Sequence, residues 1–290
     1  MKSFAVRTFG QLGDTVILAG AVHNVRLEHP EFNFTFLGKP QYAQLLENND
    51  DFSDHSFSRL LPLIRYGDVH DERNATKGTC VEGFTATLCD VLNIPHVPIR
   101  ENRPRVLLSD SEREWAGQWN DCILINANCQ TCSMSKAYPY WQEVVDGLGD
   151  YRIIQVGGNE SRDISHELRG VEDMRGRTTV REFASMVYGC RAVISAPSGI
   201  TNVASAFRKP QVVVNASREA DALTAYEGVV HMSHRCSCGW GVENGCVHLW
   251  FDNRDARTCN DRVATNGREY SRCQYETPPE EIIEACLRSI

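Results

Sequence analysis

The chain has no long apolar run. Its apolar runs, such as Ala192–Ala196 and Gln211–Ala216, fall far short of the ~20 residues a membrane-spanning helix needs. Its opening, Met1-Lys2-Ser3-Phe4-Ala5-Val6-Arg7, lacks the apolar stretch and small-residue cleavage site of a secretory leader and reads as a strand. A cytoplasmic protein without a membrane span is therefore expected. A basic excess is lacking too: 30 Lys and Arg against 38 Asp and Glu give a net charge of −8. No global field favours nucleic acid or acidic membranes. No tandem repeat of fixed period is present. Neither a GxxxxGK[ST] nor a GxSxG motif occurs, which disfavours a phosphate-binding hydrolase.

What is present is ordinary globular composition, 42% hydrophobic and 23% charged. The length of 290 residues is above that of one typical domain, so two are expected. Residues 3–9 alternate as a strand, Thr15–Glu28 carries apolar residues at helical spacing, and Phe32–Leu37 reads as a strand. Gln41–Asn48 and Gly78–Leu92 read as helices. Residues 98–118, rich in Pro, Arg, Glu and Ser without period, read as a linker. A second series follows. Strands are predicted at Cys122–Ala127, Arg152–Val156, Ala192–Ala196 and Gln211–Asn215. Helices are predicted at Tyr138–Leu148, Thr179–Gly189 and Gly199–Phe207. Two such series predict an α/β protein of two Rossmann-like domains facing a cleft. The boundaries are 1–115 for the first domain and 119–277 for the second, with a terminal helix over 278–290. That helix is expected to cross back to the first domain.

Twelve cysteines are many for a chain without a leader, which moves the expectation from disulfides to metal or buried thiols. Cys80, Cys89, Cys122, Cys190 and Cys286 sit in apolar patterns and read as core. Cys129 and Cys132 form a CxxC. Cys236, Cys238, Cys246, Cys259 and Cys273 fall within 38 residues. Their segment, 233–275, is rich in Cys, Gly, Asn and Arg and reads as a metal-binding insert with little regular structure.

Ligands of open α/β sheets bind beyond the carboxyl ends of the strands, and three loops qualify. In Phe9-Gly10-Gln11-Leu12-Gly13-Asp14, two glycines permit close backbone approach, and Asp14 suits a helix cap or a base equally. In Ser195–Asn202, small residues before a helix can cradle phosphate with N–H groups, although Ser198 also suits a plain N-cap. In Asn126–Lys136, Lys136 can neutralise a diphosphate or stand solvated.

Together these segments resemble the heptosyltransferase family, family nine of the glycosyltransferases. The resemblance is carried by Gly13-Asp14-Thr15-Val16-Ile17-Leu18, by Ile123–Asn126 with Lys136 and Tyr138-Pro139, and by Gln155-Val156-Gly157-Gly158. It continues in Arg175–Glu182 and in Ser198-Gly199 through Val212–Val214. Cys236-Ser237-Cys238-Gly239-Trp240, Phe251–Asp255 with Cys259, and Cys273–Pro278 resemble the autotransporter branch, which binds iron through four cysteines. The resemblance implies a GT-B type fold, a nucleotide diphosphate sugar as donor substrate and a structural iron or zinc ion in a four-cysteine site. It implies Asp14 as base, with Gly10 and Gly13 in the acceptor-side loop. Lys136, Gly157, Ser198, Gly199 and Ile200 fall at the donor, and Thr178 either contacts the donor or, more readily, caps the following helix. Of the five cysteines, Cys259 and Cys273 match the family positions best. One of Cys236 and Cys238 is expected to be spare, with Cys246 a ligand. No catalytic divalent metal is implied. The acceptor is expected to be protein or glycan rather than nucleic acid, the donor ADP-linked and heptose-like, and a homo-oligomer is possible. A catalytically inactive nucleotide-sugar-binding protein and a metal-dependent regulatory protein are the alternatives.

Overall fold

The computed structural model describes residues 2–8, 11–53, 58–63, 78–130, 136–158, 163–164, 167–215, 221–233, 261–265 and 267–290. The chain opens with β1 (Lys2–Val6), α1 (Leu12–Glu28), β2 (Phe32–Phe36), α2 (Pro40–Ala43), β3 (Arg59–Leu60) and α3 (Cys80–Leu92). These strands form a parallel sheet in the order β2-β1-β3. A short α4 (Asp110–Ala116) follows. Then come β4 (Cys122–Asn126), β5 (Cys129–Gln130), α5 (Trp141–Gly147), β6 (Arg152–Gln155), β7 (Asp163–Ile164) and β8 (Glu172–Asp173). Next are α6 (Val180–Gly189), β9 (Ala192–Ser195), α7 (Gly199–Ala206), β10 (Gln211–Val213) and β11 (Val229–His231). The second sheet is also parallel, ordered β11-β10-β9-β4-β6-β8. β5 pairs antiparallel with β7.

Period-two alternation explains the layering of the larger sheet. In β4, Ile123 and Ile125 join the cluster of Trp141, Val144 and Ile282, while Leu124 joins the opposite cluster with Ala184, Val187 and Val203. Both faces are covered, so the strand is apolar along its length, as parallel strands under two helical layers are. Helix α1 is apolar all round for a related reason. Ile17, Leu18 and Val22 belong to the core over the smaller sheet, whereas Val16 belongs to the core of the larger one.

Three expectations are corrected. The stretch read as a linker contains α4, started by a capping box in which the Ser109 N–H donates to Glu112 Oε2 at 2.7 Å and the Glu112 N–H donates to Ser109 Oγ at 3.3 Å. The segment read as having little regular structure contains an antiparallel hairpin, β12 (Arg262–Thr265) with β13 (Arg268–Ser271), followed by α8 (Arg272–Tyr275). The terminal helix α9 (Pro279–Ser289) does not cross back: its Ile282, Ala285 and Cys286 bury against the larger sheet's own cluster. Its apolar stripe fits the face beside Trp141 and Val212, and burial there removes it from water. The first core is instead entered by Leu223 and Tyr226, which lie between β10 and β11.

Candidate functional site

A cleft of about 620 Å³ opens where α1 and α2 face the carboxyl ends of the larger sheet's strands. It is lined from one side by Gln11–Asp14 and Tyr42, and from the other by Asn126, Lys136, Gly157, Thr178 and Pro197–Ile200. The structure therefore brings together Gly13, Asp14, Lys136, Gly157, Thr178, Ser198, Gly199 and Ile200 from distant parts of the sequence. Gly10 lies outside the described residues, as do Cys132, Cys236, Cys238, Cys246 and Cys259. Cys273 is buried at the start of α8. Among the described residues no group of three potential metal ligands occurs, and no described helix is long and apolar enough to cross a membrane.

Asp14 stands in the first turn of α1, not in a preceding loop, because Gln11 is the residue that flanks the helix. The Gln11 N–H donates to Asp14 Oδ2 at 3.2 Å. Burial pushes the Asp14 carboxyl above its ordinary range, opposed by this N–H, by its own N–H and by the charge of Lys136. Lys136 Nζ donates to the Pro197 carbonyl at 2.7 Å, so the solvated-lysine alternative does not hold.

The N-terminus of α7 meets that of α1 closely. A β-carbon on Gly13 would lie 3.4 Å from Gly199 Cα and 3.0 Å from Asn202 Nδ2. Ser198 is extended at the start of α7, and its N–H is taken by Thr201 Oγ1 at 3.3 Å. The unpaired first-turn N–H groups of a helix make its start attractive to anions; here Gly199 and Ile200 open that turn. Gly157 has φ +138°, and a β-carbon there would come within 3.0 Å of both Asn126 Oδ1 and Asn128 Nδ2. The cap of α6 is Thr179, not Thr178: Thr179 Oγ1 accepts from the Glu182 N–H at 3.1 Å. Thr178 is left on the cleft wall.

Asn126, Asn128, Gln11, Tyr42 and Thr224 also line the cleft and were not singled out by sequence. Asn126 Nδ2 donates to Ser198 Oγ at 3.5 Å, and Asn128 Nδ2 donates to the Gly158 carbonyl at 2.9 Å. Their place at the end of β4 was a usable signal. Tyr42 donates to Gln11 Oε1 at 3.4 Å; nothing local marks it.

No curated protein matches the chain by sequence. Solved structures do match in fold. E. coli ADP-heptose LPS heptosyltransferase II shares 11% identity at a TM-score of 0.65, covering 100% of this chain and 98% of that one. A glycosyl transferase family 9 protein of Veillonella parvula shares 12% at 0.65, covering 99% and 97%. TibC, a dodecameric iron-containing heptosyltransferase crystallised with ADP-D-beta-D-heptose, shares 17% at 0.64, covering 99% and 76%. These place the chain in the GT-B-like α/β fold. Residues 64–240 match the profile described as glycosyltransferase family 9 (heptosyltransferase), and the chain belongs to that family of glycosyltransferases.

Proposed function

We propose that the chain transfers a heptose-like sugar from an ADP-linked donor to the hydroxyl of a protein or glycan acceptor. The observation that carries this reading is the convergence on one cleft of a half-buried carboxylate, an anchored lysine and a helix N-terminus. Asp14 takes the proton of the acceptor hydroxyl as its oxygen bonds to the anomeric carbon. The bond from that carbon to the diphosphate breaks, and the leaving diphosphate keeps the electron pair. Lys136 and the N–H groups of Gly199 and Ile200 balance its charge. Gly157 and Thr178 complete the donor wall. A carboxyl raised by burial is a stronger base than an exposed one. ADP is favoured as the nucleotide by the structures of TibC with ADP-D-beta-D-heptose and of E. coli WaaC with ADP.

In this reading residues 1–115 form the acceptor domain and 119–277 the donor domain, followed by a terminal helix over 278–290. Four of Cys236, Cys238, Cys246, Cys259 and Cys273 hold one structural iron or zinc ion, since an all-thiolate set suits either. The similar protein TibC contains iron. The test is a thermal-shift and hydrolysis screen against ADP-, UDP- and GDP-sugars. Stabilisation and turnover with an ADP-sugar are expected. Affinity without turnover would point to a binding module, and no response to any nucleotide sugar would overturn the reading.

A further inference from the structure

The segment between β10 and β11 touches both cores and the cleft. Leu223 and Tyr226 are buried in the cluster that also contains Ile17 and Leu18 of α1, and the Tyr226 hydroxyl accepts from the Val81 N–H at the start of α3 at 3.3 Å. Between those two anchors lies Thr224, 6% exposed and part of the cleft wall. Its Oγ1 is hydrogen-bonded to His231 Nε2 at 2.9 Å. Beside that pair, Asp221 accepts from Asn215 Nδ2 at 2.8 Å and from the Ser233 hydroxyl. Burial pushes the imidazole of His231 toward its neutral form, against the pull of Asp221.

The position on the cleft is informative. Asp14 and Ile17 share one face of α1, three residues apart, and both line the cleft. Ile17 belongs to the cluster that Leu223 enters. Thr224 thus lines the same cleft as Asp14 and the diphosphate-side residues, the space that the transferred sugar occupies in the donor reading. A threonine hydroxyl offers one donor and two acceptor sites, and the bond to His231 uses only one of them. Its place is fixed by Tyr226 on one side and His231 on the other, the arrangement that makes a polar contact selective.

Resting on the donor reading above, we infer that Thr224 is a specificity-determining residue that hydrogen-bonds a hydroxyl of the donor sugar, and that His231 is the positioning residue that aims it. The nucleoside diphosphate alone does not use this contact. The test compares wild type with Thr224→Val, Thr224→Ser, His231→Ala and His231→Gln, titrated calorimetrically with ADP and with ADP-heptose. Circular dichroism and melting temperature report folding of each. Thr224→Val should bind ADP within about twofold of wild type and ADP-heptose about three- to tenfold more weakly, the range of one neutral hydrogen bond. Thr224→Ser should restore the sugar-dependent part. His231→Ala should reproduce the split, and His231→Gln, which keeps a hydrogen-bonding side chain, should recover part of it. Equal weakening toward both ligands, or none toward ADP-heptose in folded Thr224→Val and Thr224→Ser, overturns the assignment while leaving the donor reading intact. Wild type that binds neither ligand overturns both.

Discussion

Lys136 reaches from its loop to the carbonyl of Pro197, 2.7 Å away and two residues before the start of α7. The bond ties the lysine to the turn that opens α7 on the cleft wall, so the positive charge is held rather than solvated. Lys136→Ala should cost nucleoside diphosphate binding about 1.5–3 kcal/mol, the scale of a charge-assisted contact. The melting temperature should change little, because the lysine takes no part in the hydrophobic cores. Calorimetry with ADP checks this; equal affinity in both proteins would remove Lys136 from the donor site.

Gly157 admits no side chain without strain. Its φ of +138° is rare for other residues, and a β-carbon would press on Asn126 Oδ1 and Asn128 Nδ2 at 3.0 Å. Gly157→Ala should lose about 1–3 kcal/mol of stability. It should also weaken ADP binding, since the two asparagines that hold Ser198 and the Gly158 carbonyl must shift. Urea unfolding at neutral pH measures the first effect; wild-type midpoints would show that the turn relaxes freely.

Arg181 of α6 is 8% exposed and binds Glu112 of α4 through two nitrogens while donating to the carbonyls of Gln44 and Leu107. Arg181→Ala should destabilise by about 2–4 kcal/mol, because a partly buried carboxylate and two carbonyls lose their partner. The guanidinium holds Glu112 at about 2 against an ordinary 4.5. The fold thus favours the carboxylate. Its contribution is complete above pH about 4.5 and is lost as pH falls toward 2. The stability gap between wild type and Arg181→Ala should therefore shrink on acidification from pH 7 to pH 3. A gap independent of pH would contradict the ion pair's role.

The cysteine reading predicts about one iron or zinc per chain by elemental analysis of purified protein. Cys259→Ser should lose the ion and destabilise the C-terminal half, since metal binding there supplies folding free energy. Fully folded, metal-free wild type would show that the thiols serve another purpose.

Much of the fold was legible because its local signals agree. The short apolar run Cys122–Asn126 and helical spacing after Asp14 match β4 and α1 within a few residues. Ser109 and Glu112 carried a capping-box signature that an absence of period obscured. Thr178 and Thr179 are adjacent and chemically alike, so only geometry separates the cleft residue from the cap. Tyr42 and Thr224 reach the cleft through tertiary packing, which no window of sequence encodes. The terminal helix was misread for the same reason: its amphipathic pattern demands an apolar partner without naming which face supplies it.

The most direct test of the account is the turnover of ADP-heptose by wild type and Asp14→Asn, with ADP affinity and melting temperature measured on the same preparations. The fold raises the Asp14 pKa and so holds its proton more tightly than the unfolded chain does. Stability contributed by this group is present at low pH and lost as pH rises through the raised value, which makes the carboxylate a net cost at neutral pH. Asp14→Asn should therefore be at least as stable as wild type at pH 7. It should bind ADP within about twofold and turn over roughly 10²-fold more slowly or worse, the scale of general-base catalysis. Wild-type turnover by folded Asp14→Asn would contradict the central claim.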